Sequence, residues 1–203
     1  KELAALRSEK LGDTEGAKDS AVAVSQRTIR ETLDTGLFSS RGLDRIGWAH
    51  QTYAEFLAAR FLVEHGLPAD RIMALILHPD GKIVPQLRET AAWLASMVPE
   101  VFRCMVASDP VVLLRSDVAT ADVKDRADLV GHLLRLCDQR EFLDRDFTLR
   151  WTYHKLKHAG LAEQLRPYIR DKGKGIVVRR VAIDIAEACE ILCLQEDLVE
   201  VAL

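Results

Sequence analysis

The sequence predicts an all-α chain: a stack of antiparallel helix pairs, with one small β-hairpin near the N-terminus. Three observations carry this expectation. Gly and Pro number only 11 and 6 among 203 residues, too few for an all-β chain with its many tight turns. Apolar residues recur at three- and four-residue steps over most of the sequence, the spacing of one helix face. One short stretch, 37–48, breaks that period with two strand-like runs. The composition, 48% hydrophobic and 29% charged, suits a globular chain and argues against wholesale disorder. No apolar run reaches the roughly 18 residues a membrane helix needs, and no leader with a small-residue cleavage site opens the chain. The expectation is a cytoplasmic protein with no membrane partner. The chain opens on Lys1 without Met and stops on an apolar stretch ending at Leu203, so we expect a piece of something longer.

Taken in order, residues 1–10 read as the end of a helix and 11–20 as a loop rich in Gly and Asp. Asp19 or Ser20 is placed to cap the next helix, which runs to about Thr35, and Gly36 stands where a left-handed residue would end it. Leu37-Phe38-Ser39-Ser40 and Arg45-Ile46-Gly47-Trp48 then flank Arg41-Gly42-Leu43-Asp44. A helix followed by such a hairpin is the layout of a winged helix. His50 to Glu64 forms a strong helix, with Tyr53, Phe56 and Phe61 expected in the core, and Gly66 and Pro68 end it. Beyond it only helices are expected, at 69–77, 84–97, 99–107, 122–138, 147–158, 161–170, 176–192 and 195–203. Trp93, Leu94, Leu133, Leu134, Ile183 and Ile185 lie on the apolar stripes of these helices and should be buried.

Charge is unevenly placed. The net charge is only -3, so bulk charge does not make the chain a polyanion binder. Residues 145–180, however, hold ten Lys and Arg against three carboxylates, a surplus of +7, whereas 181–203 hold six carboxylates and no Lys or Arg. The two stretches can pair with each other across adjacent helices. Alternatively the basic one, with Trp151, Tyr153 and Tyr168 interleaved, presents a cationic face to nucleic acid. Cys104, Cys137, Cys189 and Cys193 read as reduced, mostly buried thiols. Cys189 and Cys193 lie one helical turn apart, as do His154 and His158, but neither pair has the second half of a zinc site. No metal is expected.

Motifs for catalysis are missing. Gly12-Asp13-Thr14-Glu15-Gly16-Ala17-Lys18-Asp19 superficially looks like a P-loop. It fails on spacing, lacks the Ser or Thr that would hold magnesium after Lys18, and follows no strand. Gly173-Lys174-Gly175 reads as a turn. No nucleophile elbow, His-Glu-x-x-His helix or calcium loop occurs. We therefore assign no catalytic residues, and no cofactor to this segment.

Two resemblances add to this reading. Leu161, Leu165, Tyr168 and Ile169 form one stripe, followed by Asp171, a Gly-Lys-Gly turn and Val178-Arg179-Arg180-Val181. This resembles a HEAT repeat, where an Asp between two helices precedes a Val-Arg opening the second. Here Asp171 lies seven residues before Val178, a longer linker than the repeat uses. The resemblance implies a right-handed HEAT/ARM-like superhelix over 66–203. More specific is Ile46-Gly47-Trp48-Ala49-His50-Gln51-Thr52-Tyr53-Ala54-Glu55-Phe56-Leu57-Ala58-Ala59. A strand ending in an aromatic, then His-x-x-aromatic-x-Glu-aromatic-Leu-Ala-Ala, resembles the end of the winged-helix domain in NACHT-type STAND NTPases. These are signal-transducing ATPase switches of immunity, programmed cell death and bacterial defence.

The STAND resemblance implies two domains, the end of a winged helix over 1–65 and the HEAT-like region over 66–203. It implies that His50 contacts the β-phosphate of ADP held by an upstream NTPase domain of the same chain, helping to keep a closed state. An imidazole at a helix N-terminus suits an anion; the alternative is that His50 merely caps its helix or packs beside Trp48. ATP and ADP are then ligands of the parent protein rather than of this segment. The function expected is a non-catalytic sensor and regulatory region that recognises a protein trigger on its helical surface. A helical nucleic-acid-binding domain and a plain protein-interaction scaffold are the alternatives.

Overall fold

A computed structural model of the chain describes residues 25–43, 45–117, 120–142 and 148–202. The helix expected at 1–10, the loop and P-loop-like stretch within 11–20, the caps Asp19 and Ser20, and Asp44, Arg145 and Leu203 lie outside them. The described residues are mostly helical, with one two-stranded antiparallel sheet near the N-terminus. Two compact units divide after His50.

In the first unit, α1 (Gln26–Leu33) opens at Ser25, whose side chain accepts from the Thr28 N–H at 3.1 Å. That satisfies one of the donors a helix start leaves over. No residue of α1 is buried. Gly36 does not take the left-handed conformation expected of it. The helix ends two residues earlier, where the Thr35 hydroxyl donates to the Thr32 carbonyl at 2.7 Å and makes a glycine cap unnecessary. Strands β1 (Phe38–Ser40) and β2 (Ile46–Trp48) pair antiparallel, with Phe38 opposite Trp48. Their rings stack at 4.8 Å between centroids, and Arg41 donates from Nη2 to the Trp48 carbonyl at 2.7 Å. Gly47 makes this possible: a Cβ there would sit 2.9 Å from Arg41 Cγ.

The second unit begins with α2 (Gln51–Glu64). Gly66, at φ +64, ends it with a left-handed turn, Leu67 N–H reaching the Leu62 carbonyl at 3.1 Å. There follow α3 (Ala69–Ile76), α4 (Arg88–Met97), α5 (Pro99–Ser108) and the short α6 (Pro110–Leu113). After them come α7 (Val123–Asp138), α8 (Leu161–Arg170), α9 (Ile176–Ala188) and α10 (Gln195–Ala202). Helix α2 packs along α4, α4 on α5, α5 on α7, α7 on α9, and α9 on α8, which also contacts α10. One continuous core runs through this unit, from Ala59 and Ile72 through Leu94, Met105 and Leu134 to Ile185.

Several expectations are corrected. A small β-bridge joins Leu77 to Ile83 around a turn at Gly81, a pairing too short to show as alternation. The stretch read as helix 147–158 is, over Arg150–Leu156, a 3-10 helix. Helix α9 stops at Ala188 rather than 192, because Glu190 turns left-handed at φ 55 and Ile191 N–H returns to the Ala186 carbonyl at 2.9 Å. Of the expected core, Leu94, Leu133, Leu134 and Ile185 are fully buried, whereas Trp93 and Ile183 are half-buried at its edge. Tyr53 and Phe61 are exposed, and Phe56 is half-buried. Among the described residues no helix is long and apolar enough to cross a membrane.

Candidate functional site

His50 is exposed in the bend directly before α2. Its position follows from local sequence: β2 ends at Trp48, and Gln51-Thr52-Tyr53 starts a helix of good formers, leaving His50 at the helix entrance. Glu55, the acid of the same motif, is half-buried one turn into α2.

Within the second unit a notch of about 280 Å³ opens beside Trp93, bounded by Thr52 of α2, Glu89 and Ser96 of α4, the 115–117 turn and Lys155. Its polar groups largely satisfy one another. Arg115 and Glu89 form an ion pair at 2.5 Å. Ser96 Oγ accepts from the Asp117 N–H at 3.2 Å and donates to the Ala92 carbonyl at 3.0 Å. Lys155 Nζ donates to the Ser116 carbonyl at 3.0 Å. Phe56 of α2 meets the Trp93 ring edge-on at 5.2 Å, so the wall of the notch is fixed by aromatic packing. Sequence reasoning singled out Trp93 only as core and missed the notch, whose residues are scattered from 52 to 155 and share no spacing.

The basic stretch is drawn into the protein's own carboxylates. Arg150 pairs with Glu187 and lies 3.9 Å from Asp184; Arg180 lies 3.7 Å from Asp184. Arg166 and Arg170 both hold Asp197, and Arg170 also reaches Glu200 at 3.5 Å. Lys174 meets Asp138 at 2.5 Å. Asp197 is buried, which pushes its carboxyl up, but hydrogen bonds from Arg166 and then Arg170 outweigh burial and hold it below its ordinary value. Asp125, buried near the start of α7, goes the other way: burial first, then the charge of Asp122, push it up, against the pull of Arg103 at 3.5 Å. Lys157 and Lys172 remain exposed in the basic stretch.

The paired Cys and His are separated by the fold. Cys189 is buried at the end of α9, its thiol donating to the Tyr153 carbonyl at 3.2 Å, while Cys193 is exposed beyond the left-handed turn. Burial raises the Cys189 thiol to about 11, so it stays protonated and unreactive. His154 is exposed and His158 buried. The 3-10 helix that carries His154 ends at Leu156 and the chain extends at Lys157 (φ -57, ψ 126), so His158 lies beyond the helix and shares no helix face with His154. Among the described residues no cluster of three His, Cys, Asp or Glu is arranged for a metal. Asp171 does not cap α9. Its Oδ1 accepts from the Gly173 N–H at 2.8 Å, and Gly175 occupies the cap position, as the long linker dictates.

No protein-family model matches this chain, and no curated protein or solved structure matches it significantly.

Proposed function

We propose that this chain is a non-catalytic part of a NACHT-type STAND signalling ATPase. In this reading it supplies the end of a winged-helix domain and, after it, a right-handed HEAT-like stack that recognises a protein trigger and restrains the ATPase. The observation that carries the reading is the order helix, hairpin, helix over 26–64, with the aromatic end of β2 two residues before an exposed His50 at the entrance of α2. The helices that follow, packed in succession through one core, support a sensor surface. ATP and ADP then belong to an upstream NTPase domain, and His50 contributes a phosphate contact in the closed state alone.

The test is made in the complete parent protein. A contact shifts a two-state equilibrium only by its difference between the states, and a charge-assisted hydrogen bond is worth about 1.5–3 kcal/mol. His50→Ala should speed ADP release and raise untriggered activity about ten- to a hundred-fold, with His50→Gln milder. Unchanged ADP release and basal activity in a folded His50→Ala protein would leave His50 a helix cap. A parent chain lacking Walker A and Walker B motifs would leave the alternative of a plain interaction scaffold.

A further inference from the structure

His158 is a buried titratable group with no role in that reading. It follows the 3-10 segment Arg150–Leu156 and precedes α8, so it sits where α8 comes against α7. Gln164 of α8 fixes its chemistry. The Gln164 amide donates from Nε2 to the Ala127 carbonyl of α7 at 2.8 Å. Gly131, one turn further along α7, leaves the room: a Cβ there would lie 3.3 Å from that nitrogen. With the amide so oriented, its Oε1 faces His158 Nε2 at 3.1 Å, and an Nε2–H is required to donate to it. The neutral ring therefore carries its proton on Nε2, and Nδ1 is a bare acceptor, buried and without a hydrogen-bond partner.

A second proton would have to go on Nδ1. It would find no acceptor there, and the imidazolium would be buried. Gln164 faces the ring from α8 and Arg126 from α7; the Arg126 Nε is itself buried without a hydrogen-bond partner. Among the described residues no carboxylate lies within ion-pair distance of the ring. The neighbouring cation Lys157 is exposed. Burial first, and the Arg126 charge with it, hold His158 below its ordinary value, against the favourable hydrogen bond to Gln164.

We propose that His158, Gln164 and the Ala127–Gly131 turn of α7 form an acid-sensitive joint, which holds α8 against α7 while the imidazole is neutral and loosens when Nδ1 is protonated. The sign follows from linkage. A histidine depressed in the folded state leaves the unfolded chain holding more protons, so stability is complete above the unfolded value of about 6.5 and falls as pH drops below it.

Hydrogen exchange across α7 and α8, corrected for intrinsic rates and compared at pH 7.5 and 5.5, tests this on the whole chain. Protection in α8 and the facing turn of α7 should fall by up to about tenfold, more than in α2 and α4. In His158→Gln, which keeps a neutral donor toward Gln164, that extra loss should vanish. Equal pH dependence in both proteins overturns the proposal. Should the variant not fold, the wild-type imidazole decides: an NMR titration midpoint clearly below 6.5 with the proton on Nε2 supports the joint. A midpoint at or above 6.5, or a proton on Nδ1, overturns it.

Discussion

Helices α2 and α8 both look like core helices in the sequence, yet the fold uses them differently. In α8, Leu161, Leu165 and Ile169 recur every four residues and all three are fully buried, while Glu163, Arg166 and Arg170 lie off that stripe. In α2 the apolar residues run round the helix. One side, with Phe56, Ala59 and Val63, lies toward α4 and the core, and only Ala59 is fully buried. The other, with Tyr53, Leu57 and Phe61 at four-residue spacing, is exposed, Phe61 by 57%. Periodicity identifies residues that share a face. It does not say whether a second element covers that face, and α2 has two apolar faces where α8 has one.

The sharpest contrast should come from one leucine in each helix. Leu165→Ala opens a cavity in a closed core and should cost about 2–5 kcal/mol, read by urea unfolding. Leu57→Ala, on the exposed side of α2, should stay within about 0.5 kcal/mol. Equal losses would show that the α2 stripe is covered in solution and would break the comparison. Trp93→Ala should fall below the buried leucine or match it, at about 2–3 kcal/mol. The ring is half-buried and loses one edge-on contact with Phe56. A loss below about 0.5 kcal/mol would show that α2 gains little from α4.

Smaller effects probe the charges. Arg115→Ala breaks a half-exposed ion pair with Glu89 and should cost under about 1 kcal/mol, less at high salt. For Asp197 the folded carboxyl is depressed, so its contribution is present above about 3.8, the unfolded value, and is lost as pH falls through the lower folded value. Acid unfolding of wild type and Asp197→Asn should therefore converge below about pH 4. If their difference persisted unchanged to pH 2, the Arg166 and Arg170 pairing would not be what stabilises the α8–α10 contact.

The sequence alone determined the helical class, the hairpin near 37–48, the helix limits set by Pro and by Gly66, and the neutralisation of 145–180 by the acidic tail as one of two outcomes. These are local or compositional properties: turn chemistry, apolar period and charge sum act over a few residues or over the whole chain. Tertiary structure decided the rest. It put Glu190 into a left-handed turn that a glycine would be expected to fill, and ended the 3-10 helix at Leu156, so that His158 falls outside the element that carries His154. It left Tyr53 and Phe61 exposed, gathered Thr52, Trp93, Arg115 and Lys155 into one notch, and oriented Gln164 so that the His158 tautomer is fixed. Each of these depends on which residues far apart in the chain come within a few ångströms. Periodicity carries no record of such meetings, because burial and hydrogen bonding belong to the pair and not to either residue alone.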